Sequence, residues 1–133
     1  MTYLLDTDTC IYWLRDRFSV RAKVREIGWN QIVICVITAA ELYYGAYNSS
    51  RVQENLTLAE EFIKNLPVIP LSNNSIKIFG ELKTELRKSG QPIGDFDLLI
   101  ASVALTESYI LVTNNTRHYS RINGLKLENW TLS

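Results

Sequence analysis

The chain is poor in the residues that staple or metallate small proteins. It has two cysteines, Cys10 and Cys35, and a single histidine, His118, in 133 residues. The cysteines lie inside apolar segments (TCIYWL and IVICVI) with no CxxC spacing, and His118 is remote from both. A disulfide framework and a zinc site are therefore excluded, and two buried thiols in a reducing compartment are expected. Net charge is also lacking, since fourteen Lys and Arg balance fourteen Asp and Glu. That argues against a generic nucleic-acid coat or an acidic tail but leaves room for local patches. The N-terminal MTYLLDTD has no basic leader region, and no apolar run approaches the roughly 18 residues of a membrane span. A cytoplasmic protein with no membrane contact is expected. Repeats, low-complexity tracts and linkers are absent too, so residues 1–133 are expected to form a single domain.

What is present is alternation. Tyr3-Leu4-Leu5, Ile32–Ile37, Val68-Ile69 and Ile110-Leu111-Val112 are short, continuous apolar runs rich in β-branched residues, and Leu125–Leu127 is a further candidate. Such runs suit strands buried on both faces of a parallel sheet. Helical signals fill the gaps. Thr38-Ala39-Ala40-Glu41 fits a capping box, and Ser50-Arg51-Val52-Gln53 fits another ahead of Leu56, Ala59, Phe62 and Ile63. Ile76, Phe79, Leu82 and Leu86 recur at helical spacing up to Gly90, and Gly94-Asp95 opens a helix through Leu99, Ile100 and Val103. The pattern predicts a three-layer α/β/α fold around a mostly parallel sheet of four to five strands.

The acids fall where such folds bind ligands, beyond the carboxyl ends of the strands. Asp6 ends the first strand, with Asp8 two residues on. Glu41 follows the second strand, Asp95 and Asp97 open the helix before the last core strand, and Asn114 and Asn115 follow that strand. Capping competes as an explanation: Glu41 fits the Thr38 box, Asp95 suits an N-cap, and Asp8 could cap a helix through Ile11 and Leu14. Asp6 is the acid that capping explains least well. Gathering Asp6, Glu41 and Asp97 would be costly unless a hard divalent cation relieved their repulsion. That chemistry points to metal-assisted phosphodiester hydrolysis.

Four stretches carry a resemblance in order: Tyr3-Leu4-Leu5-Asp6-Thr7-Asp8; Thr38-Ala39-Ala40-Glu41-Leu42 with Gly45; Ile93-Gly94-Asp95-Phe96-Asp97-Leu98-Leu99-Ile100-Ala101; and Leu111-Val112-Thr113-Asn114-Asn115-Thr116-Arg117-His118-Tyr119. The sequence resembles the PIN-domain ribonucleases, particularly the VapC-type toxins of bacterial toxin–antitoxin pairs, from end to end. The resemblance implies that Asp6, Glu41 and Asp97 hold Mg²⁺ or Mn²⁺, and that Asn115 takes a fourth catalytic position that is often an acid. It implies an endoribonuclease that cuts structured RNA such as tRNA by metal-activated water, leaving a 5′-phosphate and a 3′-hydroxyl. It also implies a cognate antitoxin and a homodimer. Asp8 is expected to support the ligands, Asp95 to cap its helix, and His118 to be exposed and structural.

Residues 15–25 carry five basic side chains against Asp16, with Arg117 and Arg121 near the chain's end. Both RNA-phosphate contact and a solvated helix face fit this cluster. Tyr12, Trp13, Tyr43, Tyr44 and Tyr47 fall at helical spacing and are expected mainly in the core or a dimer contact. Two alternatives stand: a PIN-like module that binds RNA or protein without cutting, and a phosphatase of the kind that carries a nucleophilic Asp in a DxD motif. The second is weakened because Asp95 and Asp97 follow Pro and Gly rather than an apolar strand.

Overall fold

Each strand of this protein is two to four residues long, so the sheet is held by what packs on it more than by its own ladder. The computed structural model describes residues 1–132. The strands are β1 (Tyr3–Leu5), β2 (Ile32–Cys35), β3 (Val68–Ile69), β4 (Ile110–Val112) and β5 (Lys126–Glu128). They form one sheet in the order β3-β2-β1-β4-β5, and every pairing is parallel. The helices are α1 (Thr7–Leu14), α2 (Val20–Ile27), α3 (Val36–Tyr47), α4 (Val52–Lys64), α5 (Asn73–Lys88), α6 (Asp95–Glu107) and the single turn α7 (Thr116–Tyr119).

The two-residue period of a strand sorts the core into two layers. Tyr3, Leu5, Ile32, Ile34, Ile110 and Val112 face one side, against Cys10, Trp13, Val20, Val24, Leu42 and Phe62 of α1–α4. Leu4, Val33, Cys35 and Leu111 face the other, against Leu86 of α5, Leu98 to Ala104 of α6, and Tyr119. The three-layer α/β/α architecture is the one expected, and the sheet has five strands. Among the described residues, no helix is long and apolar enough to cross a membrane.

The structure departs from the sequence reading at helix starts. The run expected as a strand to Ile37 stops at Cys35, and α3 begins at Val36. The cause is pairing: β1 ends at Leu5 opposite Ile34, and β3 ends at Ile69 opposite Cys35, so Val36 has no ladder to join. Thr38 is consequently a fully buried residue of the first turn of α3, and the N-cap position belongs to Cys35. The Ser50 box also fails, because Arg51 is the N-cap of α4 and makes no side-chain cap.

Strand order fixes where a ligand can enter. From β1 the chain runs outward through β2 to β3, then returns to the opposite side of β1 as β4. The gap beyond the carboxyl ends of β1 and β4 is therefore the topological switch point, the usual ligand crevice of an open parallel sheet.

Candidate metal-binding active site

Asp6 stands in that gap. Its backbone N–H donates to the Val112 carbonyl at 3.0 Å, extending the β1–β4 ladder by one bond. Its Oδ1 accepts from the Thr9 N–H at 2.9 Å, so Asp6 is the N-cap of α1. The acid that capping explained least well in the sequence is thus a cap, and Asp8, a capping candidate, is the second residue of the helix. Asp6 is only 4% exposed, and burial pushes its carboxyl up from 3.8 to about 6. The Thr113 hydroxyl and the Thr9 amide oppose that rise by hydrogen-bonding the ionised form, while the Asp8 charge reinforces it. Thr113 is itself positioned by the Asn115 N–H, which donates to its Oγ1 at 3.0 Å.

Glu41 comes from the second turn of α3. Capping does not explain it, because α3 starts five residues earlier. Its carboxylate accepts instead from the Thr7 hydroxyl of α1, whose oxygen also lies 3.2 Å from Thr38 Oγ1. Asp97, in the first turn of α6, reaches the same place from the far side of the sheet. Its carboxyl is raised by desolvation and by Asp8, against the Tyr119 hydroxyl and His118, which favour ionisation. Tyr119 is 1% exposed, and its hydroxyl is held strongly protonated by burial and by the charges of Asp97, Asp6 and Asp8. It donates toward the Asp97 carbonyl at 3.5 Å.

Asp6, Thr7, Asp8, Glu41, Asp97, Asn115 and Tyr119 line one cleft of about 70 Å³. The four residues expected in the site, Asp6, Glu41, Asp97 and Asn115, are brought together, and Asp8 joins them. Asp95 is not. It points outward and pairs with Lys83 at 2.9 Å, while Gly94 takes the cap position expected of it. His118 is exposed and outside the lining. Thr7 and Tyr119 are the site residues that sequence reasoning passed over. Tyr119 stands four residues after Asn115, one helical turn away, and that spacing was the available signal. Larger clefts of about 530 and 660 Å³ flank α5, but each includes basic side chains, Lys83 and Arg87 in the first and Arg121 in the second.

The cleft holds four carboxylates and no Lys or Arg among its lining residues. Its donors are all oxygen or amide, with no thiol or imidazole, the set preferred by a hard divalent ion rather than zinc. The N-termini of α1 and α6 temper the anionic charge by their dipoles but do not balance it. Among the described residues, no three His, Cys, Asp or Glu side chains form a ready-made metal cluster. The acids share an opening without closing into a coordination sphere.

Comparison with known proteins agrees with this arrangement. The family model described as PIN domain matches residues 3–125. The chain belongs to the PIN-domain family. Within the family, its full-length likeness is to VapC ribonucleases, which places this PIN protein in the nuclease class. It is 39% identical over 133 residues to Ribonuclease VapC2 of Rickettsia felis, covering 98% of each chain. It is 35% identical over 134 residues to the tRNA(fMet)-specific endonuclease VapC of Shigella flexneri, covering 98% of this chain and 99% of that one. The crystal structure of VapBC2 from Rickettsia felis bound to a promoter DNA fragment superposes with a TM-score of 0.90 at 39% identity, covering 98% of this chain and 99% of that one.

Proposed function

We propose that this PIN protein is a divalent-metal-dependent endoribonuclease, the toxin of a toxin–antitoxin pair, acting in the cytoplasm as a single-domain chain. Its substrate is a structured RNA such as a tRNA, a cognate antitoxin restrains it, and it works as a homodimer. The observation that carries the catalytic reading is the cleft itself: four carboxylates, one of them buried with a raised pKa, and no cationic lining residue. A bound cation would offset the cost of holding that buried carboxylate ionised among its neighbours at neutral pH.

Asp6, Glu41 and Asp97 would hold the ion, Mg²⁺ or Mn²⁺. When bound, it supplies charge neutralisation at the phosphate and a more acidic water for in-line displacement. The chain's own residues do the positioning. Thr7 orients the Glu41 carboxylate, the Thr9 amide and Thr113 hydroxyl orient Asp6, and Tyr119 backs Asp97. Asn115 places an uncharged amide at the rim, where it can hydrogen-bond phosphate or water without adding repulsion.

Incubation of purified protein with total RNA tests this reading. Cuts are expected with Mg²⁺ or Mn²⁺, ending in 5′-phosphate and 3′-hydroxyl, and are lost in EDTA and in Asp6→Asn. Unchanged cleavage by Asp97→Asn would remove the site assignment. RNA binding without any cleavage would instead favour a non-cutting module.

A further inference from the structure

The acid cleft leaves the α1–α2 loop, residues 15–19, unexplained. Asp16 and Phe18 have φ of 52° and 59°, two of the three non-glycine residues with positive φ among the described residues. A bulky aromatic in the left-handed region is strained where glycine would be relaxed, and such strain concentrates at ligand clamps. The loop is nonetheless held firmly. Arg17 N–H donates to the Tyr12 carbonyl at 2.8 Å, and Asp16 N–H to Trp13 at 3.2 Å. Arg21 reaches back from α2 to the Trp13 and Leu14 carbonyls at 2.9 and 3.0 Å.

The result of this scaffolding is an aromatic ring pushed into water. Phe18 is 62% exposed, so burial of its own side chain is not what the strained backbone secures. Its ring meets Tyr12 edge-on, with centroids 4.9 Å apart and planes at 82°. Tyr12 in turn accepts a hydrogen bond at its hydroxyl from Asn114 Nδ2 at 3.1 Å, and Asn114 adjoins Asn115 at the cleft rim. Phe18, Tyr12 and Asn114 thus form a continuous ledge leading to the acids. Arg15 and Arg17 belong to the same loop as Phe18, both exposed, and Arg15 lines a groove that it shares with Glu41.

An exposed aromatic in a loop that also carries cations is the combination that binds single-stranded nucleic acid: the ring takes a base face and the cations take phosphates. We propose that Phe18 is a stacking platform for one unpaired base beside the scissile phosphate, with Arg15 and Arg17 on the flanking backbone. This rests on the RNA-cleaving reading of the acid cleft. Only an unstacked base offers a free face, so the platform directs cleavage to a loop or single-stranded stretch rather than a duplex.

The test pairs Phe18→Ala with a short single-stranded RNA that the wild type cuts, made with an abasic site at each position in turn. Phe18→Ala is expected to raise KM by about 5- to 150-fold, the range for loss of one base–aromatic stack, with kcat within about twofold. Phe18→Trp is expected to restore KM, and both variants should melt within a few degrees of wild type. One abasic position near the cut should abolish the difference between wild type and Phe18→Ala. Equal KM for the two proteins on intact RNA overturns the proposal, as does a defect of the same size at every abasic position. A Phe18→Ala variant that cuts normally but no longer self-associates overturns it in favour of an interface between copies. A wild type that cuts no RNA overturns the enzymatic reading and this inference together, whereas cleavage indifferent to Phe18 overturns this inference alone.

Discussion

Replacing Asp6 with asparagine should make the metal-free protein more stable while destroying its activity. In the folded chain burial raises the Asp6 carboxyl from 3.8 to about 6. At about 1.4 kcal/mol per pKa unit, the folded state bears about 3 kcal/mol for keeping this group ionised. The sign follows from proton binding. Below about pH 3.8 the carboxyl is protonated in both states and costs nothing. Between 3.8 and 6 the folded state binds the proton more tightly, so this contribution to stability falls as pH rises. Above about 6 the full penalty applies. Asparagine does not titrate, and its carbonyl can still accept the Thr9 N–H that caps α1. The measurement is urea unfolding in EDTA at pH 4.5 and pH 7.5, followed by fluorescence of Trp13, Trp29 and Trp130. Asp6→Asn is expected to gain about 2–3 kcal/mol on wild type at pH 7.5 and much less at pH 4.5. An advantage independent of pH, or a variant less stable than wild type at pH 7.5, would refute the claim that Asp6 is held ionised at a cost. Mn²⁺ at a thousand times its Kd should reverse the order, adding about 4.1 kcal/mol to wild type and little to the variant.

Other perturbations separate the roles of neighbouring groups. Thr7→Val removes the donor to Glu41 and is expected to lower the cleavage rate about tenfold, near the worth of one hydrogen bond to a charged group, with little change in melting temperature. Tyr119→Phe removes a hydroxyl that favours Asp97 ionisation, so the acidic limb of the pH–rate profile should move to higher pH. Asp95→Asn should cut RNA at the wild-type rate, and its half-exposed pair with Lys83 should be worth less than about 1 kcal/mol in urea unfolding. Leu5→Ala, in a fully buried strand position, should cost about 2–5 kcal/mol.

The sheet and its layers were legible because β1, β2 and β4 are buried on both faces and read as unbroken apolar runs. The acids were legible because each follows a strand or opens a helix at the carboxyl edge. Their local roles were harder to assign. Asp6 looked free of capping since the apolar pattern alone does not say that α1 starts immediately after β1, without a loop. Glu41 looked like a capping partner because the end of β2 depends on how far β1 and β3 extend beside it, a tertiary constraint absent from residues 32–41. Asp95 and Asp97, two apart on one helix, fall on nearly opposite faces, and Lys83, which arrives from α5, takes Asp95. Tyr119 escaped notice because its importance lies in a buried hydroxyl facing the acids, and burial of that kind follows from the packing of α7 and α6.

The bond between the Thr9 hydroxyl and the Val112 carbonyl joins residues 103 apart in the chain. Asp6 leans on the same carbonyl, so the first acid made at the ribosome has no seat until almost the last strand has emerged. Contacts of such long range form late, after the loop between them has been closed. A growing chain therefore carries its acids dispersed until Val112 has been made, and the proposed hydrolytic centre assembles only after that point. For an enzyme whose proposed targets belong to translation, the topology separates manufacture from action.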